Sequence, residues 1–513
     1  MKPSIELFNL IDSLTKSEKR FFKLNSSLQS GDKNYIKIFD FIEKQKKYDE
    51  EELKESFKNE RFIDHLPSEK NHLYKLILKS LRAFYSDQTI SAQLKQEIKN
   101  VEVLHKKALY KECAKFVKRA KKMAKRYEKF YYWFELISWE RLLLEDAYEE
   151  GVFTQDINKL IEEEAEVIEK LRNLAEYQIL YSKINLIFKS GGFSRNDTER
   201  QVVAEIADYH LIKGKNTAVS VRATSICYYI KGLCAASIRD YEDAIVNFRK
   251  AKMVMDKNPD IKQDLQGRYI STLTFLLNCY IDQYDFENAQ RFLDEIKDLS
   301  NQTGYDSIDS KIKIFSSIGI GEVQLYNRMG DFKKGLEVLS DIEQDLELHK
   351  NKLTKEKILL FNYSKAYTMF GNAEYKVALR GLNDVLNDNE KHLRQDVYSF
   401  SRIFNLIVHY ELGNFDFVEY EVKSTSRFLN KQEKDYQIEK VFIKFIKKLA
   451  REEYSLNKKE IFQSFYDEII VLLKLPHEQV ILEYFNITAW VYSKIKRIDF
   501  REAIKFTQEN LKN

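Results

Sequence analysis

"RDYEDAIVNFRKA" runs from Arg239 to Ala251, and its pattern decides the fold. A polar pair and an aromatic are followed by Ala244, Phe248 and Ala251 at i, i+4 and i+7, the mark of a tight turn opening a helix with one apolar stripe. The pattern returns in "YDFENAQRFLDEI" (284–296), "GDFKKGLEVLSDI" (330–342), "AEYKVALRGLNDV" (373–385) and "GNFDFVEYEVKST" (413–425). Aligned on Tyr241, Phe286, Phe332, Tyr375 and Phe415, the copies lie 45, 46, 43 and 40 residues apart. The register extends forward to Lys458 and Phe500 at 43 and 42 residues, and backward through Phe193, Phe153 and Tyr110 at 48, 40 and 43. A period of this length predicts stacked helical hairpins, none of which buries its apolar face without a neighbour.

Upstream of the first turn, "SICYYIKGLCAASI" (225–238) supplies the partner helix, with Gly232 expected where the two backbones approach closely, and Pro259 follows the second helix. Tyr228, Gly232, Tyr241, Ala244, Phe248 and Ala251 match the spacing of the tetratricopeptide (TPR) repeat. Tyr280 and Ala289 keep part of that spacing in the next unit, as do Tyr326, Gly330 and Phe332 in the third. The chain therefore resembles the TPR family, most strongly over residues 220–430, with longer helices than the standard repeat of roughly 34 residues. The resemblance implies a right-handed α-solenoid whose first helices line a concave groove. It does not fix a function, because such repeats serve many.

Composition agrees with an all-α chain. Only 15 Gly and 4 Pro punctuate 513 residues, too few for many strands and tight turns, while 44% apolar and 13% aromatic residues can fill a large core. No apolar run reaches the roughly 18 residues that span a bilayer, and "MKPSIELFNLIDSLTKSEKR" lacks a signal-type apolar stretch. Cys113, Cys227, Cys234 and Cys279 form no CxxC pair and read as small buried hydrophobes. These features suit a reducing, cytoplasmic setting.

Residues 87–513 are expected to hold about ten hairpins, and residues 1–86 a basic helical N-terminal cap. Within that cap helices are expected over 4–24, 33–46, 50–58 and 67–85. The alternative is a helix-turn-helix read by "PSEKNHLYKLILKSLRAFY" (67–85), although the link from Asn59 to Leu66 is longer than the usual three or four residues.

Charge is uneven. Residues 1–130 carry 30 Lys plus Arg against 19 Asp plus Glu, a balance of +11 that leaves −7 for the remainder. "YKECAKFVKRAKKMAKRYEK" (110–129) alone holds nine Lys or Arg. Cys113, Val117, Ala120, Ala124 and Tyr127 mark its buried side. Lys111, Lys115, Lys118, Lys122, Lys125 and Lys129 form one outward row flanked by Arg119 and Arg126. Such a row is either a solvated face neutralised by acidic neighbours such as "LIEEEAEVIEK" (160–170), or a seat for nucleic acid or an acidic protein. Its apolar side lacks exposed Leu, Phe or Trp, so membrane binding is not expected. The aromatic run "FYYWFELISWERLLL" (130–144) is read as core packing rather than as a base-stacking platform.

No catalytic motif stands out, and no metal or cofactor is expected. The eight His are scattered without HExxH, and "SGGFS" (190–194) lacks P-loop spacing and reads as a turn. The resemblance places Asn278, Gln324, Asn327 and Arg328 inward, where a peptide would lie. Tyr229, Thr274 and Ile320 stand where a carboxylate clamp would need its first lysine, so that clamp is not supported. A non-catalytic scaffold or adaptor holding a protein segment is the expected function. A peptide-sensing transcriptional regulator is the alternative.

Overall fold

The computed structural model describes residues 5–27, 34–146, 157–349, 352–388, 393–431, 436–451 and 458–512. Every regular element among them is helical. They divide into two compact units, residues 1–167 and 168–513.

The first unit holds α1 (Glu6–Ser13), α2 (Lys16–Ser27), α3 (Asn34–Lys44), α4 (Glu50–Ser56), α5 (Leu66–Phe84), α6 (Ile90–Lys106), α7 (Tyr110–Arg126), α8 (Phe130–Asp146) and the start of α9 (Ile157–Gly191). Leu7, Ile11, Phe22, Ile38, Phe39, Leu73 and Ile77 share one apolar cluster. The single helix expected over 4–24 is two. Leu14 is extended, and Thr15 starts afresh by a reciprocal cap: its N–H donates to Glu18 at 2.6 Å and the Glu18 N–H donates to its hydroxyl at 3.3 Å. The link between α4 and α5 contains a short 3-10 helix, Arg61–His65, that buries Phe62.

The second unit continues through α10 (Asp197–Asp208), α11 (His210–Lys213), α12 (Val221–Ser237), α13 (Tyr241–Asp256), α14 (Pro259–Asp264), α15 (Gln266–Asp282), α16 (Phe286–Leu299), α17 (Ile308–Met329) and α18 (Phe332–His349). It then runs through α19 (Lys355–Gly371), α20 (Tyr375–Leu386), α21 (Gln395–Glu411), α22 (Phe415–Lys431), α23 (Gln437–Arg451), α24 (Lys458–Leu472), α25 (Ile481–Tyr484), α26 (Ile487–Lys496) and α27 (Phe500–Lys512). Pairs such as α12 and α13, α15 and α16, α17 and α18, and α19 and α20 pack together. Across pairs, α15, α17, α19, α21 and α23 pack in succession.

The repeated turn has one physical form. A left-handed residue ends the first helix at Ala108, Arg239, Tyr284, Gly330, Ala373 and Gly413, and the aromatic two positions later is the first residue of the next helix: Tyr110, Tyr241, Phe286, Phe332, Tyr375 and Phe415. Glu128 and Phe130 do the same before α8. In each turn the following N–H donates back five residues, as from Asp240 to Ala235 O at 3.0 Å and from Asp285 to Tyr280 O at 2.9 Å. This 6→1 bond satisfies a carbonyl that the helix end would leave open. Asp240, Asp285 and Asp331 then cap the next helix through their carboxylates.

Lys458 and Phe500 also begin helices, α24 and α27. Phe193 does not. Gly192, at φ +72°, turns the chain, and the Ser194 N–H donates to Ser237 O at 3.0 Å, so Phe193 sits in the connection to α10. Phe153 lies outside the described residues. Gly232 is needed by a side chain: a Cβ there would stand 2.7 Å from the fully buried Phe248 ring.

Candidate functional site

The basic row lies on α7. Its other side is buried as the periodicity predicts, through Cys113, Val117, Ala120 and Ala124, with Tyr127 half-buried. Lys121 joins that buried side. It pairs with Glu140 and, at 3.0 Å, with Glu163 of α9.

Lys111, Lys115, Lys118, Arg119, Lys122, Lys125 and Arg126 are exposed, and Lys129 is half-buried, donating to the Ser91 hydroxyl at 2.9 Å. Counter-charge reaches the edges of the row. Arg119 holds Glu97 with both carboxylate oxygens at 2.7 Å, and Lys125 holds Glu163 at 2.7 Å. Burial alone would raise the Glu163 carboxyl, but hydrogen bonds from Lys125, Lys121 and the Trp133 indole outweigh it and hold the group below the ordinary carboxylate range. Between these edges Lys115, Lys118 and Lys122 meet no carboxylate among the described residues. Like charges at i+3 and i+4 cost an isolated helix a few tenths of a kcal/mol per pair, so this centre is kept charged at some expense.

The aromatic run after it is packing. Trp133 is 3% exposed under the Lys125 ammonium, 4.8 Å from its ring, and Trp139 packs beside His105.

The four inward residues have separate fates. Asn278 and Gln324 are half-buried. Asn327 is buried and ties α17 to α19, accepting from the Thr368 hydroxyl at 2.9 Å. Arg328 already has an occupant from its own chain: one guanidinium nitrogen donates to Leu482 O at 2.5 Å, and the other holds Glu483 at 2.6 Å and Asp282 at 3.1 Å.

That contact belongs to a larger grip that sequence reasoning missed. The segment around α25 has its backbone carbonyls held by four side chains: Arg195 on His477 O at 3.1 Å, Arg239 on Gln479 O at 2.5 Å, Arg328 on Leu482 O, and the Tyr363 hydroxyl on Tyr484 O at 3.2 Å. Arg239 also pairs with Glu483 at 2.8 Å, and the Tyr241 hydroxyl donates to it at 2.9 Å. Burial pushes Asp282 well above its usual range, with the Glu483 charge adding to the effect. For Glu483 the two guanidinium charges win over burial and keep it ionised. Arg195 binds Glu439 at 2.6 Å, and the Glu478 carboxylate accepts the first N–H groups of α23. Arg394 with Asp396, and Tyr484 on Asp396, complete the grip.

All four cysteines are buried and unpaired, and no helix among the described residues is long and apolar enough to cross a membrane. No group of three or more His, Cys, Asp or Glu among the described residues could hold a metal ion. The sequence matches no protein-family model, and no curated protein is significantly similar to it.

Proposed function

We propose that this protein is a non-catalytic cytoplasmic scaffold, a TPR-like right-handed α-solenoid that holds a protein segment on its inward helices and an acidic or nucleic-acid partner on α7. The repeat reading draws support from the recurring left-handed turn and the aromatic that follows it. Of the inward residues, Asn278 and Gln324 are the half-buried positions left to a held segment, since Asn327 ties α17 to α19 and Arg328 is filled by Leu482 and Glu483 of its own chain.

The observation that carries the anionic partner is the unpaired centre of the α7 row, Lys115, Lys118 and Lys122, with neutralised edges on either side. A row of cations tracks phosphates or carboxylates without reading sequence. In pull-downs with and without nuclease, Lys115→Glu/Lys118→Glu/Lys122→Glu is expected to lose partners that wild type retains. An unchanged partner set would remove the row from the function.

One observation favours the regulator reading. Lys75, Lys79 and Arg82 form an exposed row at i, i+4 and i+7 on α5, the helix that would read DNA. On this reading the full chain shifts a duplex in a salt-dependent manner and Lys75→Glu/Lys79→Glu abolishes the shift. Absence of any shift at low salt would eliminate it.

A further inference from the structure

Six residues of α9 within the second unit, Ile168, Arg172, Ala175, Ile179, Ser182 and Leu186, follow one another at alternating steps of four and three, and every one is exposed. That spacing lines side chains along one seam, the a/d pattern by which helices pair. The other side of the helix is committed to the core of its own unit, with Tyr177, Leu180, Ile184 and Ile187 no more than 7% exposed. Along the seam Ile168 is 48% exposed, Ile179 59% and Leu186 66%. Apolar surface aligned over about five turns is the signature of a contact face.

The seam matches itself when reversed. Laid antiparallel on a copy with Ile168 opposite Leu186, it sets Ala175 opposite Ile179 and Arg172 opposite Ser182, so bulky members meet an aliphatic or a small one. Glu169 and Lys183 flank the seam, are exposed, and have no ion pair among the described residues. In that register Glu169 of each copy falls on the same flank as Lys183 of the other, offset by two positions or about 3 Å along the axis. The polar seam members bring their own partners: Arg172 holds Glu176 at 3.0 Å, and the Ser182 hydroxyl donates to Gln178 O at 2.9 Å. A parallel pairing would instead set Arg172 against Arg172. Shape and charge therefore single out one occupant, and we propose that the α9 seam is a two-fold antiparallel contact with a second copy of this chain.

Sedimentation velocity on the full chain tests this. Up to ~100 μM, where an interface with Kd of order 10 μM populates the dimer, wild type is expected to shift from monomer to dimer. Ile179→Lys/Leu186→Lys is expected to stay monomeric with an unchanged thermal midpoint. The register has its own readout. Ala175→Cys chains mixed with Ile179→Cys chains are expected to form a disulfide-linked heterodimer, while each variant alone does not, because like positions lie about a helical turn apart across the axis. The native cysteines are buried and do not compete. A wild type monomeric throughout overturns the proposal, as does a dimer that survives the lysine pair. Cross-linking within a single-variant sample overturns the register.

Discussion

Replacing Glu483 by Ala is expected to destabilise the second unit by about 3–5 kcal/mol, the cost of stranding buried charge when one partner of an ion pair is removed. Glu483 is the carboxylate that Arg239 and Arg328 share, at 2.8 and 2.6 Å, and both guanidinium groups lie largely out of water. Without it the carboxyl left to Arg328 is Asp282, which burial, the largest cause, still pushes upward. The contrast between the two acids is the sharper part of the prediction. Glu483→Gln is expected to behave nearly as badly as Ala, whereas Asp282→Asn, which keeps shape and loses a proton-binding group already biased to neutrality, is expected to be far milder. Urea denaturation followed by circular dichroism would rank the three. If Asp282→Asn were as damaging as Glu483→Gln, the charge assignment within this cluster would be wrong.

Gly371→Ala is expected to cost about 1–3 kcal/mol through overpacking, against an intrinsic gain of about 1 kcal/mol in helix propensity. A Cβ at position 371 would stand 2.3 to 2.4 Å from three ring atoms of Phe332. That ring is fully buried and stacked on Phe500, with centroids 5.8 Å apart and planes 10° off parallel. No flexible end can yield, so the ring or the helix must shift. Gly381→Ala is the matched control: its nearest contact would be the Ala366 Cβ at 3.3 Å, and it is expected to be neutral or slightly stabilising. Equal denaturation midpoints for the two variants would contradict the packing of Phe332 against α19.

These two sites also show what the sequence makes visible. Phe332 belongs to a turn whose signal is local: a left-handed residue, a capping position and an aromatic within three positions. Reading that signal finds the first residue of α7, α13, α16, α18, α20, α22 and α27, and the period alone reaches Lys458 at the start of α24. It fails at Phe193, where the connection is shaped by Gly192 and by Ser237, far along the chain. The start of α2 was equally local, since Thr15 and Glu18 spell a reciprocal cap. Glu483 had no such signal. Its partners lie 155 and 244 residues away at the ends of other helix pairs, and no periodicity in "HEQVILEYF" (477–485) announces that Arg328 is filled by it.

On α7 the periodicity gave both faces but not the distribution of charge. Lys121 sits beside the apolar stripe, and only the positions of Glu140 and Glu163 on two other helices decide that it is buried and paired while Lys118 and Lys122 are not. The distinction between a neutralised face and a binding row is thus tertiary. It is also what separates three lysines from the nine cations of the stretch.

The salt dependence of polyanion binding tests that distinction most directly. Anisotropy titrations of a labelled single-stranded oligonucleotide and of polyglutamate, repeated across salt concentrations, are predicted to show wild type binding at least one of them. For the oligonucleotide, Lys115→Glu/Lys118→Glu/Lys122→Glu is predicted to flatten the log–log salt slope by about 2 or more, the loss of three phosphate contacts. Identical affinity and slope for wild type and variant, or no binding of either polyanion at low salt, would contradict the account.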